Sequence, residues 1–315
     1  MNKNLYDLLY LIKRNIKMYF KDKGTFFVSL ITPAILLILF VTFLRSVYIS
    51  SLNSFIPDGV NISSRVIDGF TAGWLVSSIL ATSCITIAFC SNTIIIADKA
   101  NGIVDDILVT PVKKTILSLS YLISNLITTL IVCFSCLVLG LGYIALTGWY
   151  LSLNDVLMII ANTFLLTLFG SLLATIIESF IKSMGAGTAL STLISSMYGF
   201  LCGAYMPISQ FADAIQTFIK FLPGTYGTIL FRHYFVRGAM EKLAEQLPSE
   251  AMDGLGVGFD TKISFFGNEV SNGTSFLVVG LTVLALLMTY IVIVIVRGQG
   301  KKKVHQTTNT EATQP

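Results

Sequence analysis

Six long stretches of the chain carry no charged side chain, and they restrict its fold more than any other feature. They cover residues 24–44, 69–97, 115–154, 156–177, 183–212 and 270–296. A helix needs about 20 apolar residues to cross the hydrocarbon layer of a bilayer, and each stretch is long enough. In a soluble protein the outer face of each helix meets water and carries charged residues, which would interrupt such runs. The pattern therefore predicts a polytopic membrane protein.

The composition agrees with this interpretation. Of 315 residues, 54% are hydrophobic and only 12% are charged, and the mean hydropathy is +0.78, whereas soluble domains carry about 25% charged residues. We expect an all-α fold with six transmembrane helices in a transmembrane domain of residues 24–297. The expected spans lie at about residues 25–45, 70–96, 115–146, 156–180, 184–206 and 275–297. The net charge of +4 comes from Lys and Arg at span ends and termini, so it does not indicate a nucleic-acid partner.

The distribution of cations predicts the orientation in the membrane. Six spans place both termini on one side. If that side is the cytoplasm, 14 of the 21 Lys and Arg lie inside, and most of the others belong to one long outer segment. Because short cytoplasmic loops are enriched in Lys and Arg, we expect a multi-pass protein of the cell membrane with both termini in the cytoplasm.

The two ends of the chain lie outside the expected spans. Residues 1–23 combine six Lys or Arg with apolar residues at helical spacing. The apolar residues are Leu5, Leu8, Leu9, Ile12, Ile16, Tyr19 and Phe20. This pattern predicts an amphipathic helix in the cytoplasmic interface whose cations, Arg14 among them, face lipid headgroups. Residues 298–315 are basic and then rich in polar residues, and they are predicted to form a disordered cytoplasmic tail.

The connection between the second and third spans, residues 98–111, is predicted to form a short cytoplasmic helix. Ile103, Ile107 and Leu108 share one helical face, and Pro111 ends the helix. The acidic residues lie elsewhere on it and are Asp98, Asp105 and Asp106. Because the cytoplasmic leaflet is anionic, these acids fit a protein partner better than lipid. The alternative is a solvated connector.

The segment before the sixth span contains two short apolar helices with a break between them. Residues 211–219 have helical spacing, Pro223-Gly224 interrupts it, and a second apolar stretch follows with Arg232 inside it. Each piece is short for a span, so we expect a re-entrant hairpin at residues 208–240 in the outer leaflet. Two helices lying flat on the membrane are the alternative. Residues 241–274 are more polar and are expected to form an outer loop.

No catalytic or metal-binding arrangement is visible in the sequence. Residues 298–302 lack the spacing and the Ser or Thr of a phosphate-binding loop, so ATP hydrolysis is not expected on this chain. The two histidines, His233 and His305, are far apart and suggest no metal site. The five cysteines all lie in apolar runs, where they act as small apolar residues and not as a disulfide framework.

The expected spans contain almost no ionisable residue. Glu178, near the cytoplasmic end of the fourth span, is the exception, and an i,i+4 pair with Lys182 is its simplest interpretation. This scarcity argues against a proton- or sodium-coupled transporter and against an ion channel. Residues on the second span either line a partly polar path or make hydrogen bonds between helices. They are Thr71, Trp74, Ser78 and Thr82.

Two motifs occur in the same order as in a known family. The first consists of Asp98-Lys99, Gly102, Leu108, Thr110-Pro111 and Lys113-Lys114. The second consists of Gly203-Ala204-Tyr205-Met206-Pro207, a helix, Leu222-Pro223 and Arg232. With six spans and an N-terminal interface helix, the chain resembles permeases of the ABC-2 type, the transmembrane subunits of type V ATP-binding-cassette exporters. Its long outer loop is similar to the drug- and toxin-export branch, while Asp105-Asp106 departs from the usual uncharged or basic residues.

The resemblance implies a division of labour between chains. Residues 98–111 would be the coupling helix that docks on a separate ATPase subunit, which binds ATP and Mg²⁺, so no cofactor is expected on this chain. The residues assigned to coupling are Asp98, Lys99, Gly102, Asp105, Asp106, Leu108 and Pro111. Those assigned to the hairpin are Pro207, Pro223, Gly224 and Arg232.

The resemblance also implies a function. The chain would be a transport subunit and not an enzyme, paired with a second permease copy, and it would export an amphiphile such as a drug, toxin, lipid-like molecule or peptide. The alternatives are a secondary transporter and a membrane assembly subunit that transports nothing. The frequent use of Lys, Asn and Ile favours a bacterial source.

Overall fold

The described residues form a bundle of helices with one pair of short antiparallel strands. The computed structural model describes residues 3–57, 60–265 and 268–311, and it describes their side chains up to Val296 except at residues 32 and 41. The helices are α1 (Lys3–Lys21), α2 (Lys23–Leu39), α3 (Arg45–Asn53), α4 (Ser64–Ala100), α5 (Ile103–Val109), α6 (Lys114–Thr147), α7 (Leu153–Glu178), α8 (Met184–Leu201), α9 (Asp213–Lys220), α10 (Pro223–Ala244), α11 (Ser249–Gly258) and α12 (Asn272–Glu311). A π-helical stretch, Phe40–Leu44, joins α2 to α3, and β1 (Ser264–Phe265) pairs antiparallel with β2 (Asn268–Glu269).

Five helical segments in the described residues are long and apolar enough to cross a membrane. They are Lys23–Asn53, Ser64–Ala100, Lys114–Thr147, Leu153–Glu178 and Asn272–Val296, and they correspond to five of the predicted spans. The span predicted at residues 184–206 corresponds to α8, which has 18 residues and many Gly, Ser and Thr, and does not belong to the five. The all-α membrane fold is therefore confirmed, and the count of six spans stays a prediction.

Helix α4 lies at the centre of the bundle, and α2, α6, α7, α8 and α10 pack around it. Small residues allow its neighbours to approach closely. A Cβ on Gly73 would lie 2.6 Å from the Phe235 carbonyl oxygen of α10, and one on Gly170 of α7 would lie 2.7 Å from the Cys84 carbonyl oxygen. Backbones that come this close exclude larger side chains, so these contacts determine how α7 and α10 sit against the central helix.

Helix α1 packs against the bundle more closely than predicted. Ile12 and Tyr19, from the expected apolar face, are buried, whereas Leu5 and Leu9 remain exposed. The polar Asn15 is buried instead, and its amide donates to the Ser124 hydroxyl of α6 at 3.3 Å. The buried face of α1 is therefore rotated from the predicted one, because polar contacts with α6 add to the apolar ones.

The predicted re-entrant hairpin at 208–240 consists of a short 3₁₀ turn (Ile208–Gln210), α9 and α10. Pro207 precedes the 3₁₀ turn, and Pro223 is the first residue of α10. A backbone N–H at the first helical position has no partner within the helix, so a proline there costs no hydrogen bond. Helix α10 extends to Ala244, and most of its side chains are buried against α4, α7 and α12. With 22 residues, α10 is longer than the short second piece that the sequence predicts. Whether the hairpin is re-entrant in a bilayer stays a prediction.

The segment 241–274 is more ordered than the predicted outer loop. It contains α11, β1 and β2, and Leu255 and Phe259 are buried in an apolar cluster with Trp74 of α4. Apolar residues spaced through a polar segment cover this end of the bundle, which explains the difference. The disordered tail expected at 298–315 overlaps the end of α12, whose backbone is described to Glu311 and whose side chains are described only to Val296, and residues 312–315 lie outside the described backbone. That expectation stays a prediction.

Candidate functional site

Helix α5 is a seven-residue helix on the surface at one end of the bundle. It follows Gly102, whose φ of +74° is left-handed, a conformation that glycine adopts at little cost. One face, formed by Val104, Ile107 and Leu108, packs against an apolar cluster that includes Tyr121. Ile107 and Leu108 belong to the predicted apolar face, but Val104 takes the place that was predicted for Ile103. This face holds the helix against the bundle.

The opposite face of α5 is open. Asp105 and Asp106 are exposed, and Val109 is 88% exposed. The helix ends at Thr110, whose hydroxyl donates to the Ile107 carbonyl at 2.5 Å, and Pro111 after it is exposed. The surface combines two carboxylates with an apolar side chain that nothing in the described part of this chain covers, which is the character of a protein-docking surface.

Asp98 lies near the end of α4, just before α5, and connects that end to two other helices. This carboxylate is buried and pairs with the Arg14 guanidinium of α1, with Arg14 Nη2 to Asp98 Oδ1 at 2.9 Å. The Tyr121 hydroxyl of α6 donates to Asp98 Oδ2 at 2.5 Å. Hydrogen bonding to Asp98 raises the pKa of Arg14. Asp98 thus joins α1, α4 and α6, and the prediction that Arg14 faces headgroups is wrong because its charge is needed to balance this buried carboxylate.

Lys99 joins α4 to the end of α7. Its ammonium donates to the carbonyl oxygens of Glu178 at 3.1 Å, Ser179 at 2.8 Å and Ile181 at 3.3 Å. Carbonyl groups at a helix C-terminus have no partners within the helix, so a cation there satisfies them and interacts favourably with the helix dipole. Lys99 therefore holds α7 at the α5 end of the bundle.

The seven residues predicted for coupling fall into three groups: those on the open surface, those that hold it to the bundle, and the turn between them. Asp105, Asp106 and Pro111 lie on the open surface, whereas Asp98, Lys99 and Leu108 hold that surface to the bundle and Gly102 makes the turn between them. Sequence reasoning missed Arg14 and Tyr121. Nothing in the sequence pairs either of them with Asp98, because they lie on helices that meet only in the folded bundle.

At the other end of the molecule, Arg232 of the predicted hairpin is fully buried. Its Nη1 donates to Asp260 Oδ2 at 2.7 Å, and its Nη2 donates to the Gly203 carbonyl. The guanidinium lies 4.5 Å from the centre of the Trp74 ring, and Trp74 Nε1 donates to the Phe259 carbonyl at 3.0 Å. Arg232 thus connects α10, the turn after α8, the outer segment and α4.

Asp260 is the partner that sequence reasoning missed. It has a φ of 49°, unusual for a residue other than glycine, and its Oδ2 also accepts the Ile208 N–H at 2.5 Å. Burial raises the pKa of Asp260, and the nearby Arg232 charge opposes that shift. The residue lies in a segment predicted to be a loop, and no sequence signal marks it.

The remaining predicted hairpin residue, Gly224, lies in the first turn of α10. A Cβ there would overlap the Tyr198 hydroxyl oxygen of α8. The position therefore favours glycine for packing between α8 and α10.

The four residues predicted to line a path are all buried inside the bundle. Thr71 donates to the Ile67 carbonyl at 2.7 Å and Thr82 to the Ser78 carbonyl at 3.0 Å, so both hydroxyls bond to their own helix. Trp74 packs under Arg232. All four therefore lie inside the bundle of the single chain, and a path along α4 stays a prediction.

Glu178 is not in the ion pair predicted for it. Helix α7 ends at this residue, so Lys182 is not one turn further along the same helix, and Lys182 is exposed while Glu178 is buried. The Ser191 hydroxyl of α8 lies 3.5 Å from Glu178 Oε1, and the Asn92 amide of α4 lies beside the same carboxyl. Glu178 thus contacts polar groups of α4 and α8 inside the bundle.

Comparison with family models identifies the chain. The model of the ABC-2 type transporter matches residues 6–236, a range that includes α5 and most of α10. Comparison with curated proteins gives no match. Permeases of the matched family are transport subunits that normally work with an ABC ATPase subunit. Since the match extends over most of its length, this multi-pass membrane protein belongs to the ABC-2 type transporter family.

Proposed function

We propose that the chain is the permease half of an ATP-driven exporter, and that α5 is the element on which a separate ATPase subunit acts. The observation that carries this proposal is the arrangement of α5. Its outer face is exposed and its inner face packs on the bundle, while the α4 turn before it is held by Arg14, Tyr121 and the C-terminus of α7.

This arrangement suits the transmission of force. Asp98 and Lys99 connect the end of α4 to α1, α6 and α7, so a displacement of α5 would move several helix ends together. Helix α4 contacts most of the other long helices, and a shift of its end changes the packing around the centre of the bundle. Packed helices move between discrete arrangements as rigid bodies, which is what a two-state transport cycle requires.

The surface of α5 indicates the chemistry of its partner. Asp105 and Asp106 would meet basic side chains, and Val109 would enter an apolar pocket between them, because complementary charges align an interface whose apolar centre is buried. The ATPase would bind ATP and Mg²⁺. A second permease copy, identical or related, would complete the transport path with this one.

The proposed direction of transport is outward, and the proposed substrate is an amphiphile. The excess of Lys and Arg on the α5 side supports a cytoplasmic position for α5 and for both termini in a bacterial cell membrane. Large apolar side chains are exposed along α2, α6, α8 and α12, which suits a surface in contact with lipid.

The experiment that tests the proposal is co-purification with the cognate ATPase, together with its stimulation by the permease. Reversing both charges on the open face of α5, Asp105→Lys with Asp106→Lys, is expected to abolish both. Asp213→Lys is the matched control, because Asp213 is an exposed acid on α9 away from α5. If the α5 variant bound and stimulated the ATPase as well as the control does, the assignment of α5 would be wrong.

The two alternatives predict different fluxes. A secondary transporter would carry substrate along an ion gradient in reconstituted vesicles without any ATPase, and an assembly subunit would give no flux under either condition. Flux that needs both the ATPase and ATP is the outcome expected here.

A further inference from the structure

A polar pocket opens at the end of the molecule that holds Arg232, between α9, α11 and the pair of short strands. Its volume is about 370 Å³, within the range of small-molecule sites. The Phe221 and Phe265 rings, 5.2 Å apart, join the end of α9 to β1 and so hold two sides of the pocket together. The charged residues that line it are Lys220 of α9, Asp253 of α11, Asp260, Lys262 and Glu269 of β2.

The charges of the pocket are unevenly paired. Lys262 Nζ lies 3.0 Å from Asp253 Oδ1 and 3.9 Å from Glu269 Oε1, so one ammonium serves two carboxylates. Lys220 is half-buried and forms no ion pair with any residue that the structure describes. The pocket therefore has surplus negative charge beside Lys262 and an unbalanced positive charge on α9.

The fifth charged residue of the pocket, Asp260, does not change this pattern. Its Oδ2 accepts from Arg232 at 2.7 Å and from the Ile208 N–H at 2.5 Å, so its charge is balanced inside the protein. A ligand in the pocket consequently meets two separated charges of opposite sign, which suits a zwitterion.

Helix α9 separates the pocket from an exposed apolar surface. Gln216 and Lys220 are one helical turn apart and line the pocket, whereas Ile215 and Phe218 lie on another face of the helix and are 47% and 55% exposed. A helix with one polar face and one exposed apolar face suits the plane of a membrane interface. The pocket would then lie at the level of the lipid headgroups, and acyl chains would reach Ile215 and Phe218.

We infer that this pocket binds the zwitterionic headgroup of a phospholipid that carries a primary ammonium. Lys220 would contact the phosphate, and the ammonium would donate to the carboxylates of Asp253 and Glu269. The acyl chains would lie along the apolar face of α9. A lipid held in this way would connect the predicted hairpin to the outer segment. The inference uses the proposed orientation only to place the lipid in the outer leaflet, and binding requires neither the ATPase nor ATP.

The test compares three phospholipids that have the same acyl chains. Their binding to the full chain in detergent is measured by native mass spectrometry. Phosphatidylethanolamine offers a phosphate and a primary ammonium, phosphatidylcholine has a methylated ammonium with no N–H to donate, and phosphatidylglycerol has no cation. Phosphatidylethanolamine should bind at least about three times more tightly than either of the others. Equal affinities for all three would overturn the inference.

Variants of the pocket should change affinity and selectivity in different ways. Lys220→Gln should weaken phosphatidylethanolamine and phosphatidylglycerol alike, about three- to fivefold. Asp253→Asn combined with Glu269→Gln leaves Lys262 without its two acids, so it should weaken the first lipid, strengthen the second and reverse their order. Asp213→Asn is the control, because this exposed acid lies on α9 and does not line the pocket. Unchanged selectivity in the double acid variant would place the lipid site elsewhere.

A soluble headgroup distinguishes a lipid from a free ligand. Glycerophosphoethanolamine carries the same two charges without acyl chains. It should compete with phosphatidylethanolamine only at concentrations at least about tenfold higher, because it cannot contact Ile215 and Phe218. Equally strong competition would mean that the pocket takes a soluble zwitterion, and the lipid assignment would be wrong.

The outcome is independent of the proposed function. If the chain bound phosphatidylethanolamine with these variant effects but gave no ATP-driven flux, the lipid site would stand and the exporter assignment would fail. If ATP-driven flux were present while lipid binding did not depend on Lys220, Asp253 or Glu269, the inference would fail and the exporter assignment would stand.

Discussion

Arg14 and Asp98 lie 84 positions apart in the sequence and form a two-contact ion pair at the α5 end of the bundle. The pair is asymmetric, because the Arg14 side chain is 23% exposed and the Asp98 side chain is fully buried. The residue that remains when its partner is removed therefore differs in its access to water. Arg14 can turn toward solvent, but Asp98 cannot.

This asymmetry predicts unequal effects of removing either partner. Arg14→Gln leaves a buried carboxylate without its counter-charge and should lower the free energy of unfolding by about 3–5 kcal/mol. Asp98→Asn should cost about 1–2 kcal/mol, since it leaves a partly exposed cation. The double variant should recover part of the Arg14→Gln loss. Unfolding by denaturing detergent measures all three, and a larger loss for Asp98→Asn would contradict the prediction.

Gly102 should be required for its backbone conformation. Its φ is +74°, and a Cβ added at this position would meet no atom within 4 Å, so Gly102→Ala should cost about 1–2 kcal/mol through strain alone. The variant should also reduce stimulation of the ATPase, because the strain tilts α5. Gly142→Ala is the matched control on α6, where space is equally open and the conformation is helical. It should be neutral or slightly stabilising.

Gly238 should be required for space. A Cβ there would overlap the Tyr150 carbonyl oxygen, and backbone cannot move aside as a side-chain end can. Gly238→Ala should therefore separate α10 from the α6–α7 connection and cost about 2 kcal/mol or more. Gly280→Ala on α12 meets no atom within 4 Å and should be tolerated. Thermal unfolding of the two variants gives the comparison, and equal melting temperatures would argue against the close contact.

The raised pKa of Asp260 predicts a pH dependence of stability. A folded pKa above the unfolded value of about 3.9 means that the folded protein binds this proton more tightly than the unfolded chain. The contribution of Asp260 to stability should therefore fall as pH rises through the interval between the two values. Asp260→Asn removes this ionisation, so the stability of the variant should decline less as pH rises above the unfolded pKa of Asp. Parallel pH profiles for the two proteins would exclude the effect.

The proposed orientation predicts which surfaces are reached from outside the cell. Glu250 and Lys113 are both exposed and lie on α11 and just before α6. In a cysteine-free background, a membrane-impermeant thiol reagent should modify Glu250→Cys and leave Lys113→Cys unmodified in intact cells. Permeabilised cells provide the control, since both sites should then react. Modification of only Lys113→Cys in intact cells would reverse the orientation.

Part of the candidate site could be predicted because it depends on local signals. Gly102 and Pro111 bracket a short amphipathic segment, and the structure places α5 between them. The burial of Asp98 and Lys99 could not be predicted, since nothing in the segment 98–111 distinguishes acids that face solvent from one that faces Arg14. The same limit applies to Arg232, because no local pattern connects it to its partner Asp260.

The sequence by itself determined that this is a helical membrane protein, roughly where its long helices lie, and that a short amphipathic segment follows the second span; the structure decided that residues 98–100 belong to α4 and that α5 begins at Ile103. Runs of apolar residues, glycines and prolines act over a few neighbouring positions, so they can be recognised without a fold. Only the tertiary structure decided which charges are paired: Arg14 with Asp98, and Arg232 with Asp260. It also decided that Glu178 is buried beside Asn92 and Ser191 and not paired with Lys182. The burial of a charge depends on helices that are distant in sequence and adjacent in space, and the cost of leaving it unpaired exists only once they have packed.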